Sequence, residues 1–171
     1  MQPFFFVGTQ LLLAQISSNV SRLEDYPGAL SLGLSYGGML ERNAEFYGFS
    51  AEYNRRINKL PIGLAGSMMW DRETDHDAER VVETFTAAIT ASYLLGKRFS
   101  LGSGLGKGIM DRNDSDKRYK FTDGDWVTAV FGGYQLPLSE RIALGLSLSY
   151  EYNISAKETS LSIDLVFGLG I

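Results

Sequence analysis

Bulky apolar side chains recur at every second position through most of the chain, with glycine, serine, alanine or a single acid between them. The pattern is cleanest at the C-terminal end. Leu144, Leu146, Leu148, Tyr150 and Tyr152 alternate with Ala143, Gly145, Ser147, Ser149 and Glu151, and Leu161, Ile163, Leu165, Phe167, Leu169 and Ile171 alternate with Ser162, Asp164, Val166, Gly168 and Gly170. Successive side chains of a β-strand point to opposite faces, so a period of two predicts strands. The same reading places earlier strands near residues 29–40, 45–55, 60–71, 81–95, 98–110 and 126–136. Within 126–136 the facing stays open, because Val127 and Phe131 share one phase while Trp126, Val130 and Tyr134 share the other. Eight strands result, a number that can close into a barrel whose interior its own side chains nearly fill.

Which phase faces where decides the environment. A soluble exterior is rich in Lys and Glu, whereas the minor phase here is Gly, Ser and Ala. The expectation is therefore apolar side chains outward to lipid and small or polar ones inward to a narrow lumen. A water-soluble, lipocalin-like barrel carrying a hydrophobic ligand is the competing reading, and it requires the leucines to meet one another inside.

The linkers fit an up-and-down meander. Gly96 to Arg98 and Pro137 to Glu140 are tight, whereas Asp71 to Arg80 and Asp111 to Asp125 read as long, charged outer loops. With the C-terminus in the periplasm, Asn54 to Lys59 falls inside, and Glu41 to Ala44 and Asn153 to Glu158 fall outside. Trp and Tyr prefer membrane–water interfaces. Trp70, Trp126, Tyr150 and Tyr152 then form an outer girdle, and Tyr93 and Tyr134, with Phe99 and Phe167, an inner one.

Composition narrows the function classes. A chain of 171 residues with net charge −4 has no basic footprint for nucleic acid, and with no cysteine it has neither disulfides nor thiolate chemistry. No stretch reaches the roughly 18 apolar residues of a spanning helix, a fact that says nothing against a closed barrel.

The pattern resembles the small eight-stranded outer-membrane β-barrel proteins of Gram-negative bacteria, the type of the membrane domain of outer-membrane protein A. The resemblance covers residues 28–171 as an all-β, antiparallel, up-and-down transmembrane barrel, preceded by a short apolar segment, residues 1–27. That segment, with Phe4 to Val7 and Leu11 to Ala14, reads as a rim helix, an arm or a signal remnant. The last strand resembles the family's C-terminal assembly signal at Leu165, Phe167 and Leu169, departing by ending in Ile171 where an aromatic is usual. The resemblance implies a bacterial outer-membrane location, a monomer, and contact with the lipid bilayer, lipopolysaccharide and the outer-membrane assembly machinery. It implies a structural or surface-interaction role, with a narrow channel or carrier for small or amphiphilic solutes as the alternative.

Candidate chemistry is sparse. Glu52, Glu151 and Asp164 fall in the lumen-facing phase, with Asp71 near its end; they make either an acidic, wet pathway or a polar plug. Gly33, Ser50, Gly104, Gly145 and Ser147 would line a pathway. Asp71, Glu73, Asp75, Asp77 and Glu79 have the alternation of a Ca²⁺ loop, but His76 stands where that loop needs glycine. His76 also has no serine two positions away, so the His and Ser pair of barrel-type lipid A deacylases is missing and no enzyme, cofactor or metal is expected. Lys117, Arg118 and Lys120, with Arg80, could meet lipopolysaccharide phosphates, although Asp111, Asp114, Asp116 and Asp123 share the loop.

Overall fold

A computed structural model describes residues 27–57, 60–96, 98–113 and 118–171. The readings offered for residues 1–26, and for Lys117, Asp114 and Asp116, lie outside the described residues. The strands are β1 (Gly28–Met39), β2 (Ala44–Arg56), β3 (Ile62–Asp75), β4 (Arg80–Leu95), β5 (Phe99–Asn113), the two-residue β6 (Lys120–Phe121), β7 (Trp126–Pro137), β8 (Ile142–Asn153) and β9 (Glu158–Gly170). Each long strand pairs antiparallel with its chain neighbours, β1 pairs with β9, and β4 pairs with β5, so the eight long strands close into a barrel. Among the described residues no helix forms.

The register fixes the shape. Stepping from partner to partner around the wall, Gly28 leads to Arg55, Leu64, Ala91, Ser103, Val130, Tyr150 and Leu161, and returns to β1 at Gly38. That stagger, from Gly28 to Gly38, goes with a strand tilt of about 35–45°. One irregularity interrupts the wall, a bulge opposite Phe85 and Thr86 that leaves Ile109 without a partner in β4.

The interior is not a hydrophobic core. Among the described residues the buried apolar side chains are Ala44, Phe46, Ala65 and Ala143, and no large side chain is fully buried. Leu32 and Leu34 are each 63% exposed and Ile89 68%, while Leu146, Leu148, Ile163 and Leu165 also face outward. A water-soluble barrel would leave this apolar shell in water, so the lipocalin-like alternative fails. β7 follows the same rule: Trp126 and Val130 face out, and Val127 and Phe131 line the interior.

The outer loops depart from expectation. Asp71 to Arg80 is not a long loop, because β3 continues to Asp75 and β4 begins at Arg80. Strand alternation persists there in charged residues, which the hydrophobic pattern does not register: Arg72 pairs with Glu83 and Glu73 with Val82 across β3 and β4. Asp111 to Asp125 is likewise shortened by β5, which runs to Asn113, and by β6, which covers its edge through Met110 and Asp111. Two outer turns share one construction. Asp75 Oδ1 accepts from the amides of Asp77 and Ala78 before Glu79 turns at φ 49°, and Asn153 Oδ1 accepts from those of Ser155 and Ala156 before Lys157 turns at φ 59°. Side-chain carbonyls that mimic a backbone turn explain both.

Candidate functional site

Among the described residues the lumen forms a deep concave feature. A cavity of about 700 Å³ extends from Gly28, Arg56 and Leu94 at the inner rim to Asp125, Ala156 and Glu158 at the outer one. An eight-stranded barrel is ordinarily filled by its own side chains, so this space follows from their small size. β4, β5 and β7 contribute a neutral wall that includes Thr86, Ala88, Thr90, Gly104, Gly106 and Ala129. The opposite wall carries Glu52, Asp71, Glu151 and Asp164 from β2, β3, β8 and β9.

These acids are held by hydroxyls and by close backbone approach. Ser149 donates to Asp164 Oδ2 at 2.9 Å and Ser162 to Oδ1 at 3.5 Å. The Asp71 carboxylate lies over Gly48, where a Cβ would stand 2.1 Å from Oδ1, and reaches toward Ser35. Asp71, Glu151 and Asp164 lie near enough to repel one another. The cations lining the cavity among the described residues are Arg42, Arg56 and Arg80, at or beyond strand ends and not beside those acids.

The outer mouth is crossed by Arg42, from the β1–β2 turn. Its Nη1 lies 2.8 Å from both Glu73 Oε1 and Asp75 Oδ2, and its Nε and Nη2 each lie 3.1 Å from the Glu158 carboxylate. Glu73 first, with Glu158, holds this guanidinium even more firmly protonated than usual. Around it, the Asn43 amide donates to Asp77 Oδ2 at 3.2 Å, and the Asn43 carbonyl accepts from the His76 amide at 3.0 Å.

A second cluster sits on the outer wall above the aromatic belt. Glu83, only 4% exposed, accepts from Arg72 at 3.3 Å, Arg112 at 2.5 Å and the Tyr119 hydroxyl. Trp70 Nε1 donates to that hydroxyl at 3.1 Å, and the Arg112 guanidinium lies 5.0 Å over the Tyr119 ring.

The residues predicted from the pattern fall as follows. Glu52, Glu151 and Asp164 line the cavity, as do Asp71, Ser50, Gly104, Gly145 and Ser147. Trp126, Tyr150 and Tyr152 are exposed toward the outer end and Tyr93 and Phe99 toward the inner end. Trp70 is packed against Phe49 and Tyr47, and Tyr134 against Phe99, with its hydroxyl accepting from Arg98 at 3.0 Å. His76 lies in the β3–β4 turn, 3.5 Å from Glu45. Asp71, Glu73 and Asp75 face inward and Asp77 caps the neighbouring turn, so the alternating acids do not wrap one ion; no group among the described residues is arranged to hold a metal. Arg42 and Glu83 were missed. The available signal for Glu83 was its place, with Arg72 and Arg112, in an outward phase otherwise apolar; Arg42 lies in a turn, where alternation carries no information.

The outward apolar shell, the closed eight-strand wall and the hollow polar axis define a transmembrane-type β-barrel. The fold is that of the small eight-stranded outer-membrane barrels. The chain is similar in structure to Neisserial surface protein A (TM-score 0.57, 12% identity, 84% of this chain and 96% of that one). It is also similar to a de novo designed transmembrane β-barrel (TM-score 0.51, 12% identity, 84% and 97%). A third similar structure is Ail, the attachment invasion locus protein of Yersinia pestis, in complex with the heparin analogue sucrose octasulfate (TM-score 0.50, 17% identity, 83% and 96%). No protein-family model matches the chain, and no curated sequence matches it.

Proposed function

We propose that the chain resides in the bacterial outer membrane as a monomeric barrel with a structural or surface-interaction role, acting without catalysis. The observation that carries this reading is the hydrogen-bonded wall of strands standing beyond the aromatic belt. β3, β4 and β5 continue outward past Trp70, cross-tied by Glu83, and β6, paired on β5, carries Phe121 at 86% exposure. Such a wall offers a fixed face to partners in the medium, in keeping with the names of two similar structures, a surface protein and an attachment protein. Lipid and lipopolysaccharide contact the shell in this reading, and the assembly machinery reads the last strand through Leu165, Phe167 and Leu169.

The chain contains no cysteine, so single cysteines report topology cleanly. Phe121→Cys should react with a membrane-impermeant maleimide on intact cells, and Ser139→Cys, in the β7–β8 turn, only after lysis. The reverse pattern, or recovery of the protein in the soluble fraction, overturns the assignment.

A second reading, a narrow pathway for small solutes, is favoured by the cavity that touches both rims.

A further inference from the structure

We propose that the inner rim of the barrel binds the headgroup phosphates of anionic phospholipids, of the phosphatidylglycerol type, through arginines set at each of its three inner links. The proposal goes beyond the surface role argued above. Only the name of the leaflet, the periplasmic one, rests on the outer-membrane reading.

Charge is not shared evenly between the two ends of the barrel. Among the described residues the inner links and the strand ends beside them carry Arg55, Arg56, Arg98 and Arg141, against Glu140 and the terminal carboxylate of Ile171. The outer turns instead set Arg42 and Lys157 among Glu41, Asp77, Glu79 and Asp125. A cluster of basic side chains at the membrane surface attracts anionic lipid, so the inner end is the one that should recruit it.

The arginines stand at headgroup height. Tyrosines mark the membrane–water interface, and Arg98 Nη1 donates to the Tyr134 hydroxyl at 3.0 Å, with the Tyr134 ring centred 4.9 Å from that of the exposed Phe99. Arg55 follows Tyr53 in the outward phase of β2 and pairs with Leu64, and all three are exposed. Leu60 and Leu138, also exposed, stand in the same links as Arg56 and Arg141. Charge thus lies directly beside apolar surface, as the phosphate of a phospholipid lies beside its chains. This pairing favours a lipid over a soluble anion or an acidic polymer, because neither of those brings hydrocarbon to the exposed leucines.

The backbone beneath the arginines is tied. The Arg98 carbonyl accepts from the Gln135 amide and the Arg141 carbonyl from the Gly170 amide, each at 2.8 Å, and Arg56 Nε donates to the Leu60 carbonyl at 3.0 Å. The Tyr134 hydroxyl and the Leu60 carbonyl are neutral, so these contacts orient a guanidinium without cancelling its charge. A planar guanidinium takes phosphate through two N–H donors at once, and arginines on separate links grip separate headgroups.

The test is native mass spectrometry of the folded full chain released from nanodiscs of phosphatidylethanolamine and phosphatidylglycerol in equal parts. Folding of every variant is checked beforehand by the heat-dependent gel shift of intact barrels. The parent should retain phosphatidylglycerol in preference to phosphatidylethanolamine. Each of Arg55→Gln, Arg98→Gln and Arg141→Gln should lower that preference about fivefold, the worth of one basic side chain beside an anionic surface. The triple variant Arg55→Lys, Arg98→Lys, Arg141→Lys keeps the charge without the fork and should keep most of the preference. Lys157→Gln, at the outer end, should leave it unchanged. Equal retention of the two lipids by the parent overturns the proposal, as does a preference that the inner glutamine substitutions leave untouched or that Lys157→Gln lowers as much. A triple lysine variant that loses the preference as fully as the triple glutamine variant overturns the role of charge. Binding of peptidoglycan sacculi that the glutamine substitutions abolish, with no lipid preference, overturns the lipid as occupant. Labelling of Ser139→Cys on intact cells overturns the outer-membrane orientation alone, since the preference measured in nanodiscs does not depend on it.

Discussion

Phe131 of β7 lies over Gly102 of β5, its cross-strand partner, so closely that a Cβ on the glycine would stand 2.3 Å from Phe131 Cζ and 2.7 Å from the Ala91 carbonyl oxygen. The glycine is thus what lets the Phe131 ring fit inside the barrel. Gly102→Ala should destabilise the barrel by about 1–3 kcal/mol, the usual cost of overpacking a filled site. Phe131→Ala in the same chain should restore only part of this, because the Ala91 carbonyl is backbone and cannot move aside as a ring can. Urea unfolding of the two single variants and the double variant in liposomes checks the coupling; full additivity would sink it.

The outward shell makes a depth-dependent prediction. Leu34 lies midway along β1, whereas Tyr47 neighbours Trp70 in the outer belt. Leu34→Arg should cost about 2–4 kcal/mol in a bilayer and Tyr47→Arg about 0–1 kcal/mol, since a charge near the interface reaches water. Equal costs at the two positions, measured by the same unfolding experiment, would remove the assignment of the shell to lipid.

How legible all this was depended on what the alternation records. It places the eight spans because each spanning residue has either lipid or lumen beside it, and Leu146 or Ser147 declares which. It also places Glu52, Glu151 and Asp164 on the axis, since phase is conserved along a strand. It fails above the belt, where both faces meet water: Arg72, Glu83 and Arg112 continue β3, β4 and β5 in register while looking, residue by residue, like a solvated loop. Turns are the other blind spot. The reach of Arg42 to Glu73, Asp75 and Glu158 depends on the closure of β1 against β9, a contact between the two ends of the barrel that no local window contains.

Glu83 holds the outer loop to the wall through Tyr119, whose ring also packs edge-on to Phe85 at 5.2 Å. Replacing its carboxylate by an amide, Glu83→Gln, leaves Arg72 and Arg112 facing each other without their shared anion. The stability loss should be small, on the order of 1 kcal/mol, because both guanidinium groups are about one-third exposed and screened. The local effect should be larger. The Tyr119 hydroxyl that accepts from the Trp70 indole N–H is held less firmly by a neutral amide, so Trp70 fluorescence should shift and the 118–125 segment should become more sensitive to protease on intact cells than in the parent. An unchanged Trp70 signal in a folded variant contradicts the clamp.

The join between the β1–β2 turn and β9 has a pH window that its chemistry sets. Glu41 accepts from the Thr159 hydroxyl and, at 2.8 Å, from the Thr159 amide, and the hydroxyl first, then the amide, hold its carboxyl below the ordinary range. A carboxyl depressed in the folded state adds stability that is complete above its unfolded value, about 4.3, and is lost as pH falls through the lower folded value. Between pH 8 and pH 5 the join should therefore be constant, and below about 4 it should loosen. Arg42, beside it in the chain, stays charged across that whole interval, so the carboxyl sets the window. Thr159→Val removes the hydroxyl donor but keeps the amide, and should move the Glu41 titration part of the way back toward the ordinary value. The Glu41 carboxyl resonance followed by carbon NMR reads this directly, and protection of the Thr159 amide, corrected for intrinsic exchange, should fall at the same pH. A loosening that instead sets in as pH rises above neutrality would have the wrong sign for a depressed carboxyl, and would assign the join to some other group.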